Sequence, residues 1–255
     1  MTAAQIRFLA LVRREVNRFM KIKRQTVGAP LLETFLYISV FGAALGSRID
    51  QLDGVDYVVF VIPGLIMMAW AINAFANNSA SILQQKFQRA IDDQLSSPAS
   101  PTELLLGFTF GGFLRGMLVA VLTFCAASVL IDLPVEQPFV LIPALLLVGF
   151  FFAQLGVLVG VRAEQFDDVS FYQTFVLTPL IFLGGVFYSA QLLPEPFETL
   201  TKVNPVYYMI NLVRYGFLGT SHVNVALSLS VLALACALLF FFNYRQFTTG
   251  HRLRA

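Results

Sequence analysis

Six apolar runs of about twenty residues alternate with shorter polar segments along the chain, and each run is long enough to cross a lipid bilayer as a helix. They predict membrane spans at 27–46, 57–77, 105–131, 139–161, 171–188 and 223–243. The third run contains Arg115, so either residues 104–112 lie at the membrane interface or Arg115 faces the protein interior. The pattern predicts an all-α integral membrane protein, with one six-span bundle over 27–243 in a single domain of residues 1–255.

The first 25 residues are basic and amphipathic. Apolar and cationic positions recur at helical spacing on opposite faces: Leu9, Val12, Val16 and Phe19 on one, Arg7, Arg14, Arg18 and Lys21 on the other. This pattern favours a helix lying flat at the interface, with its cations toward anionic lipid. A disordered basic tail is the alternative.

A polar stretch at 83–104 separates the second and third runs. Leu83, Phe87, Ile91 and Leu95 recur every four residues and predict one apolar stripe on a short helix, which ends before Pro98. A short amphipathic helix between two spans indicates a contact with a partner protein. A merely solvated helix at the interface is the alternative.

The segment between the fifth and sixth runs is irregular. Pro194, Pro196 and Pro205 delimit two short helices, predicted at 197–203 and 206–218, each too short to span. We interpret them as a re-entrant helical hairpin and a candidate outer gate, with Pro194, Pro205, Tyr207 and Tyr208 as its candidate residues. A surface loop on the headgroups is the alternative.

Composition supports the membrane assignment, and charge placement gives the orientation. The chain has 255 residues, of which 57% are hydrophobic and 13% charged, and its mean hydropathy is +0.74, which a soluble domain of this size cannot bury. With six spans, thirteen lysines and arginines fall on the side of the termini and three on the other, which places both termini, with a tail at 244–255, in the cytoplasm. The thirteen are Arg7, Arg13, Arg14, Arg18, Lys21, Lys23, Arg24, Lys86, Arg89, Arg162, Arg245, Arg252 and Arg254; the three are Arg48, Lys202 and Arg214.

The sequence contains no chemistry that would make this chain an enzyme. It has no phosphate-binding G-x-x-x-x-G-K-[ST] motif, and His222 and His251 lack the spacing of metal ligands. Among intramembrane carboxylates only Glu33 is a candidate, so a proton-driven carrier or channel acting alone is disfavoured. We therefore expect no catalytic residue, no metal and no cofactor in this chain, and an external source of energy.

Polar side chains within the spans have two interpretations. Asn73, Asn77 and Ser81 lie four residues apart on one face of the second span, and Thr174 and Thr178 share a face of the fifth. Such stripes line a transport pathway or form hydrogen bonds between helices. Near the start of the fifth span, Asp167 and Asp168 are expected to cap a helix.

Several stretches, in this order and across nearly the whole chain, resemble the permease subunits of type-2 ABC exporters, the class of drug-resistance and polysaccharide exporters, and most of all its YadH-like branch. They are GSRI (46–49), PGLIMM (63–68), NAFAN (73–77), KFQR (86–89), SSPASPTEL (96–104), FDDVS (166–170), TFVLTPL (174–180), LGGVFYS (183–189) and NPVYYMINLVRYGFLG (204–219).

The resemblance implies a homodimeric permease of the bacterial plasma membrane, with two ATP-binding-cassette subunits docked on its cytoplasmic side and binding ATP and Mg²⁺. It implies that the 1–25 helix is a gate helix, that the 83–95 helix is the coupling helix, and that substrate passes between protomers along the first, second and fifth spans. The expected cargo is amphipathic, lipidic, drug-like or a glycan; membrane lipid is an expected partner and nucleic acid is not. The residues expected to contact the ATP-binding subunit are Lys86, Phe87, Arg89, Ile91, Asp92, Asp93 and Arg14.

Overall fold

The computed structural model describes residues 2–41, 51–221, 223–250 and 253, and it is helical apart from one short β-ribbon. In chain order the helices are α1 (Ala3–Lys21), α2 (Ala29–Val40), α3 (Tyr57–Phe87), α4 (Ala90–Leu95), α5 (Pro101–Leu130), α6 (Pro138–Arg162), α7 (Phe166–Phe171), α8 (Thr178–Leu183), α9 (Phe197–Val203), α10 (Pro205–Leu218) and α11 (Val225–Thr249). A single 3₁₀ turn covers Ala190–Leu192. The strands β1 (Gln51–Leu52) and β2 (Val55–Asp56) pair antiparallel around a turn with positive φ at Asp53 and Gly54.

Among the described residues, four helices, α3, α5, α6 and α11, are long and apolar enough to cross a membrane. They coincide with the second, third, fourth and sixth predicted spans. Helix α3 continues ten residues beyond the predicted end of its span, from 77 to 87, and α11 continues to Thr249, through much of what was predicted as a tail.

The first and fifth predicted spans are built from shorter pieces that include π-helical turns. A π-helical turn at Arg24–Gly28 precedes α2, and residues 42–46 of the first predicted span lie outside the described residues. In the fifth, α7 runs through a π-helical segment, Tyr172–Leu177, into α8 without leaving helical geometry. Pro179 lacks an amide hydrogen and obstructs the carbonyl four residues earlier, which accounts for the widened turn.

The helix at the fifth predicted span is therefore displaced from its prediction. It begins at Phe166, five residues earlier than predicted, and ends at Leu183, not Tyr188. Gly185 follows with a φ of +89°, a conformation that side chains with a Cβ rarely adopt, so the chain turns here before the hairpin. Both predicted hairpin helices, α9 and α10, are present.

Helix α3 is the centre of the bundle, with α5 and α6 packed against it through glycines. A Cβ placed on Gly112 of α5 would lie 2.5 Å from Asn78 Oδ1 and 2.6 Å from the Ala74 carbonyl. On α6, a Cβ on Gly156 would lie 2.5 Å from the Phe75 carbonyl. Such approaches bring backbones close together, as small residues commonly do between membrane helices.

Three buried polar residues connect α11, α6 and α5 through hydrogen bonds. Asn243 Nδ2 on α11 donates to Gln154 Oε1 on α6 at 2.6 Å, and Gln154 Nε2 donates to Thr109 Oγ1 on α5 at 2.9 Å. All three side chains are fully buried in helices of span length. Hydrogen bonds of this kind satisfy polar groups that lipid cannot.

Replacing Gly112 with alanine is expected to destabilise the fold by about 1–3 kcal/mol, because the new methyl group would overlap the α3 backbone. Gly28→Ala is the matched control, since a Cβ at Gly28 meets nothing within 4 Å. Unfolding of both variants by sodium dodecyl sulfate in mixed micelles measures the difference. Equal unfolding midpoints for G112A and G28A would contradict the close approach of α5 to α3 at Gly112.

Candidate functional site

The polar end of α3 and the segment after it lie beyond the second predicted span, on the side expected to be cytoplasmic. Helix α3 ends at Phe87, and Arg89 has a φ of 55°, which is rare for a residue with a side chain. Helix α4 then begins at Ala90. The continuous helix predicted over 83–95 is therefore wrong: Leu83 and Phe87 lie on α3, whereas Ile91 and Leu95 lie on α4 after a sharp turn.

Ile91 does not belong to an exposed apolar stripe. Its side chain is 2% exposed and lies in a buried apolar cluster between α4 and the long helices. It is therefore not accessible to a partner on the surface of this chain. The buried members of the cluster are Ile82, Ile91, Leu104, Leu105, Phe108, Val157, Val161, Phe247 and Leu253. Ile91 instead anchors α4 to the bundle, which corrects the expectation that it contacts a partner directly.

Phe87 is exposed and has an unexpected neighbour. Its side chain is 57% exposed and stacks on Phe166 of α7, with ring centroids 5.4 Å apart and planes at 15°. Phe166 is itself 52% exposed. The two rings form an aromatic pair on the surface, contributed by the last residue of α3 and the first residue of α7.

Lys86 and Asp168 fix the positions of these two helix ends. Lys86 Nζ donates to the carbonyls of Val161 and Ala163 at 2.9 and 2.8 Å, at the carbonyl end of α6 where a cation is favoured. Asp168 Oδ2 accepts from the backbone N–H groups of Glu164 and Gln165, and these bonds keep the pKa of the Asp168 carboxyl below its usual value. The expected capping role of Asp168 is confirmed.

The remaining predicted contact residues, at the turn between α3 and α4 and on α4 itself, stay accessible. Arg89 and Asp93 are exposed, and Asp92 is half-buried. Together with the aromatic pair they form one surface of mixed charge around two exposed rings.

Helix α1 is attached to α3 by a buried carboxylate. Glu15 has no exposed surface, and its oxygens accept from Ser81 Oγ at 2.7 Å and Gln85 Nε2 at 3.3 Å, both on α3. Arg14 and Arg18 pair with the same carboxylate at 3.0 and 3.2 Å. We call these five residues the Glu15 cluster.

The cations of α1 thus do not all point toward lipid. Arg18 Nη2 also donates to the Asn77 carbonyl and side-chain oxygen at 3.0 and 2.8 Å, and Arg7 pairs with Glu103 of α5 at 3.0 Å. The Arg14 guanidinium lies 5.4 Å from the Phe108 ring. The predicted helix is present, but this part of its cationic face packs on the protein because Glu15 and Glu103 supply counter-charges there.

The predicted pathway residues separate into two groups. Asn77 and Ser81 are fully buried and bond to α1, which is the interhelical alternative of the two interpretations. Asn73 is half-buried and lines a small cavity of about 30 Å³ between α2 and α3, together with Glu33. Thr174 is exposed, and Thr178 Oγ1 donates to the Gln173 carbonyl across the π-helical turn.

The outer hairpin is fixed by side chains of its own. Asn204 caps α10 by accepting from Val206 N, and its amide donates to the Leu180 carbonyl within α8. Arg214 is buried, donates to the Gly185 carbonyl at 2.9 Å and lies 3.8 Å from the Phe60 ring of α3. This ties α10 to both α3 and the turn after α8.

The four gate candidates differ in exposure. Pro194 and Pro205 are exposed, Tyr207 is buried, and Tyr208 is half-buried with its hydroxyl donating to the Lys202 carbonyl.

Comparison with known proteins identifies the arrangement. Residues 6–218 match the family described as ABC-2 type transporter, which covers α1 through α10. The chain belongs to this family.

The alignments with individual relatives cover more of the chain than the family match does. The inner membrane transport permease YadH of Escherichia coli K12 is 38% identical over 242 residues, which cover 95% of this chain and 94% of that protein. Nodulation protein J of Rhizobium meliloti 1021 is 25% identical over 237 residues, covering 92% and 90%. That of Rhizobium leguminosarum bv. viciae is 26% identical over 233 residues, covering 91% and 90%. The chain is thus a permease subunit of a transporter, of a family whose permeases normally work with ATP-binding subunits.

Sequence reasoning missed two residues of this part of the permease, Glu15 and Phe166. Glu15 is the only carboxylate among the first 25 residues, where seven lysines and arginines surround it, and this isolation was a usable signal. Phe166 was considered only as part of a helix start, although it follows a loop predicted on the same side as Phe87.

Replacing Glu15 with glutamine is expected to loosen α1, because Arg14 and Arg18 lose the charge that compensates them. The free energy that holds α1 in place is expected to fall by only about 1–3 kcal/mol, since both arginines keep some contact with solvent. Faster amide hydrogen exchange across residues 3–21 measures it. Glu103→Gln, which breaks the pair with Arg7 nearer the surface, serves as the control with a smaller effect; unchanged exchange in E15Q would contradict the role of the cluster.

Proposed function

We propose that this chain is the non-catalytic, membrane-spanning subunit of an ATP-driven exporter, acting as a homodimer with two ATP-binding subunits on its cytoplasmic side. ATP and Mg²⁺ belong to those subunits. The observation that carries the proposal is the exposed aromatic pair, Phe87 and Phe166, at the polar end of α3.

The surroundings of this pair favour a protein partner over lipid. Exposed Gln84, Gln88 and Arg89 adjoin Phe87, and this part of α3 lies beyond the predicted membrane span. Apolar rings rimmed by polar side chains are typical of protein interfaces, where buried aromatic anchors contribute most of the binding energy. The proposed contact surface consists of Phe87 and Phe166 with Arg89, Asp92 and Asp93 at its rim.

Three of the contacts expected from the sequence take a different part in this proposal. Ile91 and Lys86 do not meet the partner but hold α4 and the 163–165 loop against the bundle. Arg14 belongs to the Glu15 cluster. A displacement of the surface then reaches α3 directly, and through the Glu15 cluster it reaches α1. In this proposal α1 is the gate helix and the segment from Phe87 to Leu95 is the coupling element.

The proposed pathway runs along α2, α3 and the helix of residues 166–183. Asn73 and Glu33 line the cavity between α2 and α3, and Thr174 is exposed on the helix of residues 166–183. The same elements present exposed apolar side chains, including Phe35 and Phe175, which lipid or a second protomer would cover. We propose outward transport of an amphipathic cargo that is lipidic, drug-like or a glycan, past the α9–α10 hairpin as outer gate.

The proposed setting is the bacterial inner membrane, with six spans and both termini in the cytoplasm. The excess of lysine and arginine on one side supports this orientation, and the name of the Escherichia coli relative supports the membrane.

Reconstitution tests the need for a partner. Vesicles containing this chain alone are expected to accumulate nothing against a gradient, whereas vanadate-sensitive ATP hydrolysis should co-purify with the chain when the ATP-binding subunit of a neighbouring gene is co-expressed. Uphill transport by the lone chain would instead indicate a secondary carrier.

Changing both Phe87 and Phe166 to aspartate is expected to abolish co-purification of the ATP-binding subunit, because burying one aromatic anchor supplies on the order of 2 kcal/mol or more. The fold should survive, since both rings are more than half exposed. Val203→Asp, at an exposed position on the predicted outer side, is the matched control. A complex that forms equally well with the double variant would refute the docking surface.

Single cysteines test the pathway. In a background lacking Cys125 and Cys236, N73C and T174C are expected to react with a water-soluble methanethiosulfonate, whereas N77C and S81C, whose positions are fully buried, should react at least about tenfold more slowly. Mass spectrometry after timed labelling gives the rates. Equal rates at all four positions would contradict the assignment.

A further inference from the structure

Helix α5 faces α1 with residues spaced four apart, beginning with Gly107 and Gly111. A Cβ on Gly107 would lie 2.8 Å from Leu11 Cβ, and a Cβ on Gly111 would lie 2.6 Å from Glu15 Cβ. Both numbers increase together along the two helices, so α1 and α5 run in the same direction at this seam. The next position four residues along α5 is Arg115, which lies toward the Arg18 end of α1.

Arg115 has no counter-charge within the described part of the chain. Its side chain is half-buried, its Nε is covered by protein without a hydrogen-bond partner, and it lies close enough to Arg18 for the two like charges to repel. The Glu15 carboxylate is already shared by Arg14 and Arg18. An unpaired guanidinium in a span is costly, and an anion between the two arginines would relieve that cost.

The neighbouring segment adds positive charge and no carboxylate. Lys21, Lys23 and Arg24 are exposed where α1 turns into α2, and no aspartate or glutamate occurs between Glu15 and Glu33. Within the described residues, Arg18 uses Nε and Nη2 for Glu15 and Asn77, and Nη1 takes part in none of these bonds. Arg18 can therefore bind a further acceptor without leaving the Glu15 cluster.

The depth of Arg115 suits a headgroup. The fifteen residues from Gly116 to Leu130, the end of α5, carry no charge, and as a helix they cover about 22 Å, somewhat less than the roughly 30 Å of a hydrocarbon core. The guanidinium therefore lies near the edge of the hydrocarbon, at the level where α1 crosses α5. Long cationic side chains reach the headgroup layer from such positions.

We infer that Arg115 and Arg18 form a binding site for a phosphate-type anion, namely the phosphodiester of an anionic lipid headgroup or a free phosphate. Guanidinium groups bind phosphate through paired, charge-assisted hydrogen bonds, and two of them around one anion fix its position. The site lies between the gate helix and α5 and does not require the ATP-binding partner.

Two arms of one experiment distinguish the sources. The full-length chain, purified in dodecyl maltoside, is titrated with phosphatidylglycerol or phosphatidylcholine and the retained lipid is counted by native mass spectrometry. In parallel, its unfolding midpoint is followed with sodium phosphate or sodium chloride at equal ionic strength. Selective retention of phosphatidylglycerol identifies a lipid site, and a shift with phosphate alone identifies a free-anion site.

Arg115→Gln is expected to weaken whichever anion binds by roughly tenfold, and R115K, which keeps the charge but not the planar fork, should lie in between. Arg13→Gln and Arg162→Gln each remove one exposed charge elsewhere and should change nothing. Equal binding by R115Q and the unchanged chain would overturn the proposal. If R115Q does not fold, the unchanged chain decides: no preference for phosphatidylglycerol and no effect of phosphate beyond chloride would also overturn it.

Discussion

The Glu15 carboxylate is the constraint on which the packing of α1 against α3 depends. It is fully buried, and its partners come from its own helix and from α3, while the backbone of α5 lies against it at Gly111. Moving α1 away from α3 would carry Arg14 and Arg18 along with Glu15, but it would leave the carboxylate without its hydroxyl and amide donors on α3 and Arg18 without its bonds to Asn77. Buried ion pairs contribute little net stability but penalise other arrangements heavily. The cluster therefore specifies where α1 lies more than it holds the protein folded.

Helix α3 connects this region to the α9–α10 hairpin. From the Arg214 contact at Phe60 to the aromatic ring of Phe87, the helix rises about 40 Å. Glycines of α5 and α6 hold it on two sides. One continuous helix therefore links the hairpin to the surface that carries Phe87.

The sequence predicts the parts of this fold that depend on length and periodicity. The long spans, α1, and the two hairpin helices follow from runs of apolar residues and from prolines, since these act within one helix turn or one span. The break at Arg89 did not follow, because a left-handed backbone at an arginine is imposed by tertiary packing of Ile91 and not by any local turn residue. The roles of Asn77 and Ser81 depended on which helix would lie opposite them, and that was decided by Glu15, a residue more than sixty positions away.

The two glycine faces of α5 have a consequence for how the permease can change shape. Gly107 and Gly111 seat α1, whereas Gly112 and Gly116 seat α3, so neighbouring faces of the same helix are each matched to a different partner with no side chain that could re-pack. Rotating α5 about its own axis would drive a side chain into a backbone on one face while opening a void on the other. Rotation of α5 alone is therefore opposed on both faces, which favours movement of α1, α3 and α5 together.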